Sequence, residues 1–178
     1  MTDKILTQIQ AGLESCLPWL CTAYGRAQRI TKKIGGKTYI FPAVFRNSED
    51  YTDVSPDSGL GNYSFFVIHD PQEIQWEPNL LGEIKVPFSV IFWLDLRHAA
   101  PHDFENRNTE AVKAGILKAL SVDIKVRDGS FRFNRIYERA ENIFRDFPGV
   151  METDNQFLMH PYAGFRFEGV LKVQQNCI

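Results

Sequence analysis

Three cysteines, Cys16, Cys21 and Cys177, are too few and odd in number to staple a secreted domain, so reduced thiols, buried or idle, are expected. No apolar run is long either. The most apolar stretch, Val86 to Leu94, falls far short of the roughly 20 residues that a membrane-spanning helix needs. The start Met-Thr-Asp-Lys has no basic stretch with an apolar core behind it. No signal peptide and no membrane partner are therefore expected, and the chain reads as cytoplasmic, or as made in a cytoplasm. Charge of one sign is not in excess: Lys and Arg number 20 against 22 Asp and Glu, a net charge of -2, which argues against a chain built to wrap nucleic acid. Internal repeats, low-complexity tracts and linkers are lacking as well, so residues 1–178 are read as a single domain.

What is present is core material. Hydrophobic residues make up 44% of the 178, with 14 Phe among them, and a chain of this length buries roughly 70% of the surface it exposes when unfolded. Ile5, Ile9, Leu13 and Leu17 recur every four residues and predict a helix that Thr2 or Asp3 caps and Pro18 ends. Gly35-Gly36 suits the positive φ angles of a hairpin turn between strands Arg29–Ile34 and Lys37–Phe45, with Pro42 suggesting an edge or a bulge. Residues 46–62 read as a loop from their turn punctuation, and Tyr63–Ile68 as a strand stopped by Asp70-Pro71.

Glu83–Arg97 is the strongest strand signal. Val86, Phe88, Val90, Phe92 and Leu94 occupy one face, and Ile91 and Trp93 make the other apolar too, so this strand is expected at the centre of a sheet. Asn108 is placed as the cap of a helix over Thr109–Leu120, and Asp128-Gly129 as a hairpin turn. A third helix is expected from Asn134 to Phe147, stopped by Pro148-Gly149. The last strand alternates, Phe165, Phe167, Leu171 and Val173 against Arg166, Glu168 and Lys172, so that one face packs and the other meets water or a partner. Without a βαβ rhythm, these elements predict an α+β fold: a mixed, mostly antiparallel sheet with helices packed on it and a projecting N-terminal hairpin.

Chemistry is sparse. Gly59-Leu60-Gly61 lacks the third glycine, the Lys-Ser/Thr pair and the following helix of a phosphate loop. No serine sits in a G-x-S-x-G elbow. His98, His102 and Asp103 have metal-like spacing, but Pro101 disfavours the helix that would align them, and a solvated loop is the better reading. Neighbours His69 and Asp70 point to opposite faces of a strand. Asp95 interrupts an apolar strand, and an ion pair with Arg97 or an end in water explains it better than catalysis does. No catalytic residue, metal or cofactor is assigned.

The unusual pattern is charge. From Ser15 to Ser48 there is no acid, while Arg26, Arg29, Lys32, Lys33, Lys37 and Arg46 are present. From Asn47 to Ile84 there is no Lys or Arg, while Glu49, Asp50, Asp53, Asp57, Asp70, Glu73, Glu77 and Glu83 are present. The blocks either neutralise each other within one fold, or let a basic arm touch phosphates, or join identical subunits head to tail. In the last case Arg26, Arg29, Lys32, Lys33 and Lys37 would face Glu49, Asp50, Asp53 and Asp57 of a neighbour.

The order of elements, carried by Asp3–Leu17, Arg29–Val44, Val86–Arg97, Thr109–Leu120 and His160–Val173, resembles that of small phage tail-terminator, tail-completion and head–tail joining proteins. The resemblance implies a structural, non-enzymatic subunit of a homo-oligomeric ring, often a hexamer, at the end of a tail tube or at the neck, with other tail or neck proteins as partners and no cofactor. Two further expectations stand beside it. One is a small ligand-binding or enzymatic domain with its site near His69, Asp95, His98 and His102. The other is a nucleic-acid accessory protein using the basic hairpin.

Overall fold

Ile5, Leu6, Ile9 and Leu13 are buried on one side of helix α1 (Thr2–Cys16), and the last helical bond, from Leu17 N to Leu13 O at 2.9 Å, is followed by Pro18. A computed structural model describes residues 2–46, 50–75, 82–102, 105, 109–153 and 156–174. Asn47, Ser48, Glu49, Glu77, Asp103, Asn108 and Cys177, named above, lie outside the described residues.

Among the described residues eight strands form one mixed sheet. They are β1 (Thr22–Ile34), β2 (Lys37–Arg46), β3 (Asp50–Asp53), β4 (Tyr63–Ile68), β5 (Glu73–Gln75), β6 (Glu83–Asp95), β7 (Gly129–Tyr137) and β8 (Tyr162–Gln174). Their order is β3-β2-β1-β4-β6-β8-β7, with β5 beside β6. β1 and β4 are parallel, and the other described pairs are antiparallel. Four short α-helices are present among the described residues, α2 (Leu96–Ala99), α3 (Glu110–Lys118), α4 (Ala140–Ile143) and α5 (Pro148–Thr153), and α3 runs on into a π-helical turn, Ala119–Asp123. The α+β class read from the sequence is thus the observed one.

β6 is central and covered on both sides, as its composition demands. Val86, Phe88, Val90, Phe92 and Leu94 join Phe165, Phe167, Leu171 and Val173 of β8 beneath α1 and α3. Ile91 and Trp93 join Tyr63 and Phe65 of β4 beneath Ile143, Phe144, Phe147 and Val150. Each fully buried side chain of this size contributes about 1.5–3 kcal/mol, so the two layers fix β4, β6 and β8 tightly.

Several boundaries differ from the sequence reading. The stretch 46–62 is not wholly loop: β3 adds to β2 from Ala43↔Asp53 to Arg46↔Asp50, and Asp57 caps a 3-10 turn, Ser58–Leu60, by accepting from Gly59 N at 2.8 Å. Pro42 stands where the β3 pairing stops, and the β1–β2 register runs through it without a bulge. The central strand ends at Asp95, two residues early, because the Asp95 carboxylate caps α2 by accepting from Arg97 N at 2.9 Å.

Asp128-Gly129 is not a hairpin turn. Asp128 has φ 62, and the chain enters β7, whose partner is the distant β8. A helix over Asn134–Phe147 does not form: Asn134 and Ile136 lie in β7, and only Ala140–Ile143 is helical. Phe131 and Phe133 alternate with Ser130 and Arg132, and that period-2 pattern wins over the four-residue spacing further on. Pro148 opens α5 instead of stopping a helix, since its fixed φ suits a first helical position.

The hairpin turn at Gly35-Gly36 has φ 56 and 81, the left-handed pair that a two-residue turn requires. β1 follows β4 only to Arg26↔Phe66, while β1 and β2 pair from Ala27↔Val44 to Ile34↔Lys37. Residues 31–38 are exposed.

Candidate functional site

The face of β8 expected to meet water or a partner is open only toward its far end, where Lys172 is exposed. Arg166 is 0% exposed, opposite Ile91 of β6 and Tyr137 of β7. A buried guanidinium has to be matched by charge and hydrogen bonds, and here the matching is thorough. Its Nε donates to Glu168 at 2.8 Å, Nη1 to Asp146 at 2.5 Å and to the Ile143 carbonyl at 3.2 Å, and Nη2 to His69 Nε2 at 3.0 Å. Arg145 also pairs with Glu168, and Arg29 lies 3.9 Å from Asp146.

His69 follows β4, held by its N–H donating to the Pro87 carbonyl at 2.9 Å. Arg166 can only donate, so His69 Nε2 accepts and the ring is neutral, with its proton on Nδ1. Ser89 Oγ lies 2.7 Å from the same nitrogen and 3.5 Å from Glu168. Burial first, and then the Arg166 charge, hold the His69 imidazole below its ordinary value. Ser89 is 0% exposed, so it offers no accessible nucleophile. The cluster is a polar brace tying β4, β6 and β8 to the turn before α5. Beside it, a cleft of about 340 Å³ opens where β1 leaves β4, lined by Arg26, Arg29, His69, Asp70 and Asp146 among others.

Asp95 and His69 do not share a site. β4 and β6 run antiparallel, with Tyr63↔Trp93 at one end and Ile68↔Phe88 at the other, so Asp95 and His69 lie at opposite ends of the pair. Asp95 takes the ion pair expected of it: Arg97 Nε donates at 3.0 Å and Nη2 at 2.6 Å, with His98 Nδ1 3.8 Å away. Burial works to raise the Asp95 carboxyl, but the hydrogen bonds and charge of Arg97 outweigh it and hold the group below its usual value. The His98 side chain is 75% exposed, and His102 is exposed too. Among the described residues no three His, Cys, Asp or Glu side chains converge as metal ligands. Cys16 is half-buried and Cys21 is exposed, and both are free thiols.

The charged blocks meet in part within the chain. Lys32 pairs with Asp53 and lies 5.0 Å over the Phe41 ring, while Asp53 accepts from Ser55 N at 2.8 Å. Burial opposes ionisation of Asp53, but the bonds from Lys32 and Ser55 prevail and lower its pKa. Asp57 is occupied as a helix cap. Arg46 faces Asp50 across β2 and β3, donates to Tyr24 OH at 3.0 Å, and lies 5.0 Å over that ring. Arg26, Lys33 and Lys37 make no ion pair among the described residues. Beside this strip Phe45 and Tyr51, 61% and 52% exposed, stack edge to face at 5.5 Å.

Sequence reasoning missed the His69–Ser89–Arg166 cluster. Glu168 shares a face with Arg166 two residues on and was readable; Asp146 and His69 reach it only through the fold. No family model matches this chain, and no curated protein matches it either.

Proposed function

We propose that the protein is a structural, non-enzymatic assembly subunit of bacteriophage or prophage type, which joins identical copies into a ring at a tail end or neck and there meets other tail or neck proteins. One observation carries the reading. The far half of the β1–β2 hairpin is exposed, and it presents Lys33 and Lys37, which no carboxylate among the described residues neutralises. Exposed Ile34 stands between them at the turn. A cationic arm with an apolar tip fits a contact with another molecule better than a solvated surface loop. The resemblance in element order supplies the phage context.

Light scattering at low and high salt tests it. The expected result is a discrete oligomer whose population falls as salt rises, and Lys33→Glu with Lys37→Glu shifts the mass to monomer while the circular dichroism stays unchanged. A protein that is monomeric at every concentration sinks the reading.

A further inference from the structure

The sheet has two ends, and they differ in charge. At one end lies β3, with Asp50 exposed and Asp53 after it, inside the stretch 47–84 that holds no Lys or Arg. At the other lies β7, with Arg132 and Arg135 exposed on it and Arg127 and Arg139 exposed on its flanks, where the two acids, Asp128 and Glu138, are paired with Lys4 and Lys113. Among the described residues neither strand has a partner on its outer side.

The geometry points to pairing between copies: β3 of one subunit adds to the outer side of β7 of the next, so that the sheet continues across the interface. This rests on the assembly reading above and adds to the hairpin tip a second contact, along the strand edges. Electrostatics selects the pairing. Two β7 strands side by side would set arginine against arginine, and two β3 strands aspartate against aspartate; like charges facing across a strand pair destabilise it. The unlike pair remains, and it is heterologous, the kind of contact that closes a ring when the rotation fits.

The apolar surface agrees. Phe45 and Tyr51 are exposed beside β3, and Ile136 is 37% exposed on β7. An open edge strand invites indiscriminate pairing. Here β3 is four residues long, and β7 has a register shift between Phe133 and Arg135. Both features keep the join short, so that charge decides the partner. Lys32 occupies Asp53 within its own chain, which leaves Asp50 as the carboxylate to address.

The test uses Asp50→Arg and, separately, Arg132→Glu with Arg135→Glu, each weighed by light scattering at low salt where the unchanged protein is oligomeric. Each set is expected to drop the mass to monomer, and the two sets combined in one chain to restore the oligomer. If either reversal variant loses its circular dichroism, Asp50→Asn and Arg135→Gln take their place, with a lowered salt midpoint of disassembly as the expected reading. Oligomers that survive both sets, or a combined variant that stays monomeric, overturn the β3–β7 contact. Loss of assembly in the Lys33→Glu, Lys37→Glu variant alone leaves the broader reading standing without it. An unchanged protein that never oligomerises removes both.

Discussion

His69 Nε2 accepts from Arg166 Nη2 at 3.0 Å, so an imidazole on one strand end serves as an acceptor for a guanidinium with no exposed surface. The bond exists only while His69 is neutral. Protonation would turn the accepting nitrogen into a donor facing a cation.

Stability therefore depends on pH in a defined window. His69 titrates below its ordinary 6.5 in the folded chain, so between that folded value and 6.5 the unfolded chain binds the extra proton. Asp146 and Glu168 favour the charged ring, and Arg166 and Arg145 oppose it. Its contribution is complete above the ordinary value and declines as pH falls through this window. Urea midpoints measured through the window should fall for the unchanged protein, with a smaller slope in His69→Gln. Equal slopes would contradict the bond.

Arg166→Met should cost about 3–5 kcal/mol, because Asp146 and Glu168 then remain largely buried with less compensation. Chemical denaturation measures it. A loss below about 1 kcal/mol would mean that Arg145 and Arg29 can move in to replace the lost charge.

The Lys32–Asp53 pair is half exposed, so a double-mutant cycle with Lys32→Ala and Asp53→Asn should give about 0.2–1 kcal/mol, shrinking with salt. Because the Asp53 carboxyl is held below its ordinary 3.8, its share is present above that value and lost as pH falls through the folded one. A coupling that salt leaves unchanged would contradict a screened surface pair.

Gly169→Ala should destabilise by about 1–3 kcal/mol through overpacking. An added Cβ would lie 2.1 Å from the Arg132 carbonyl, where β7 and β8 approach closely. Thermal melting checks it, and an unchanged melting temperature would show that β7 shifts outward freely.

Periodicity located α1 and the strands β4, β6 and β8 because each buries a complete face, so hydrophobic spacing in the sequence is the packing itself. It failed at 129–147. There Ile136, Ala140, Ile143, Phe144 and Phe147 mimic a helical stripe, whereas Phe131 and Phe133 lie in a strand whose partner stands more than thirty residues later. β3 was missed because four residues carry too little pattern. The charge blocks were legible, but not their partial pairing within the chain, since only the β2–β3 register brings Asp53 within reach of Lys32. The Arg166 cluster draws on 69, 89, 146 and 168, a set that no local pattern announces.

β8 lies between β6 and β7 and pairs with β6 along its whole length, from Glu83↔Gln174 to Asp95↔Tyr162. A ribosome makes it after every strand it touches. Until it docks, β6 and β7 have no common neighbour and the central apolar layers are open on one flank. Closing the sheet thus depends on one long-range pairing, of the kind whose loop-closure entropy slows folding.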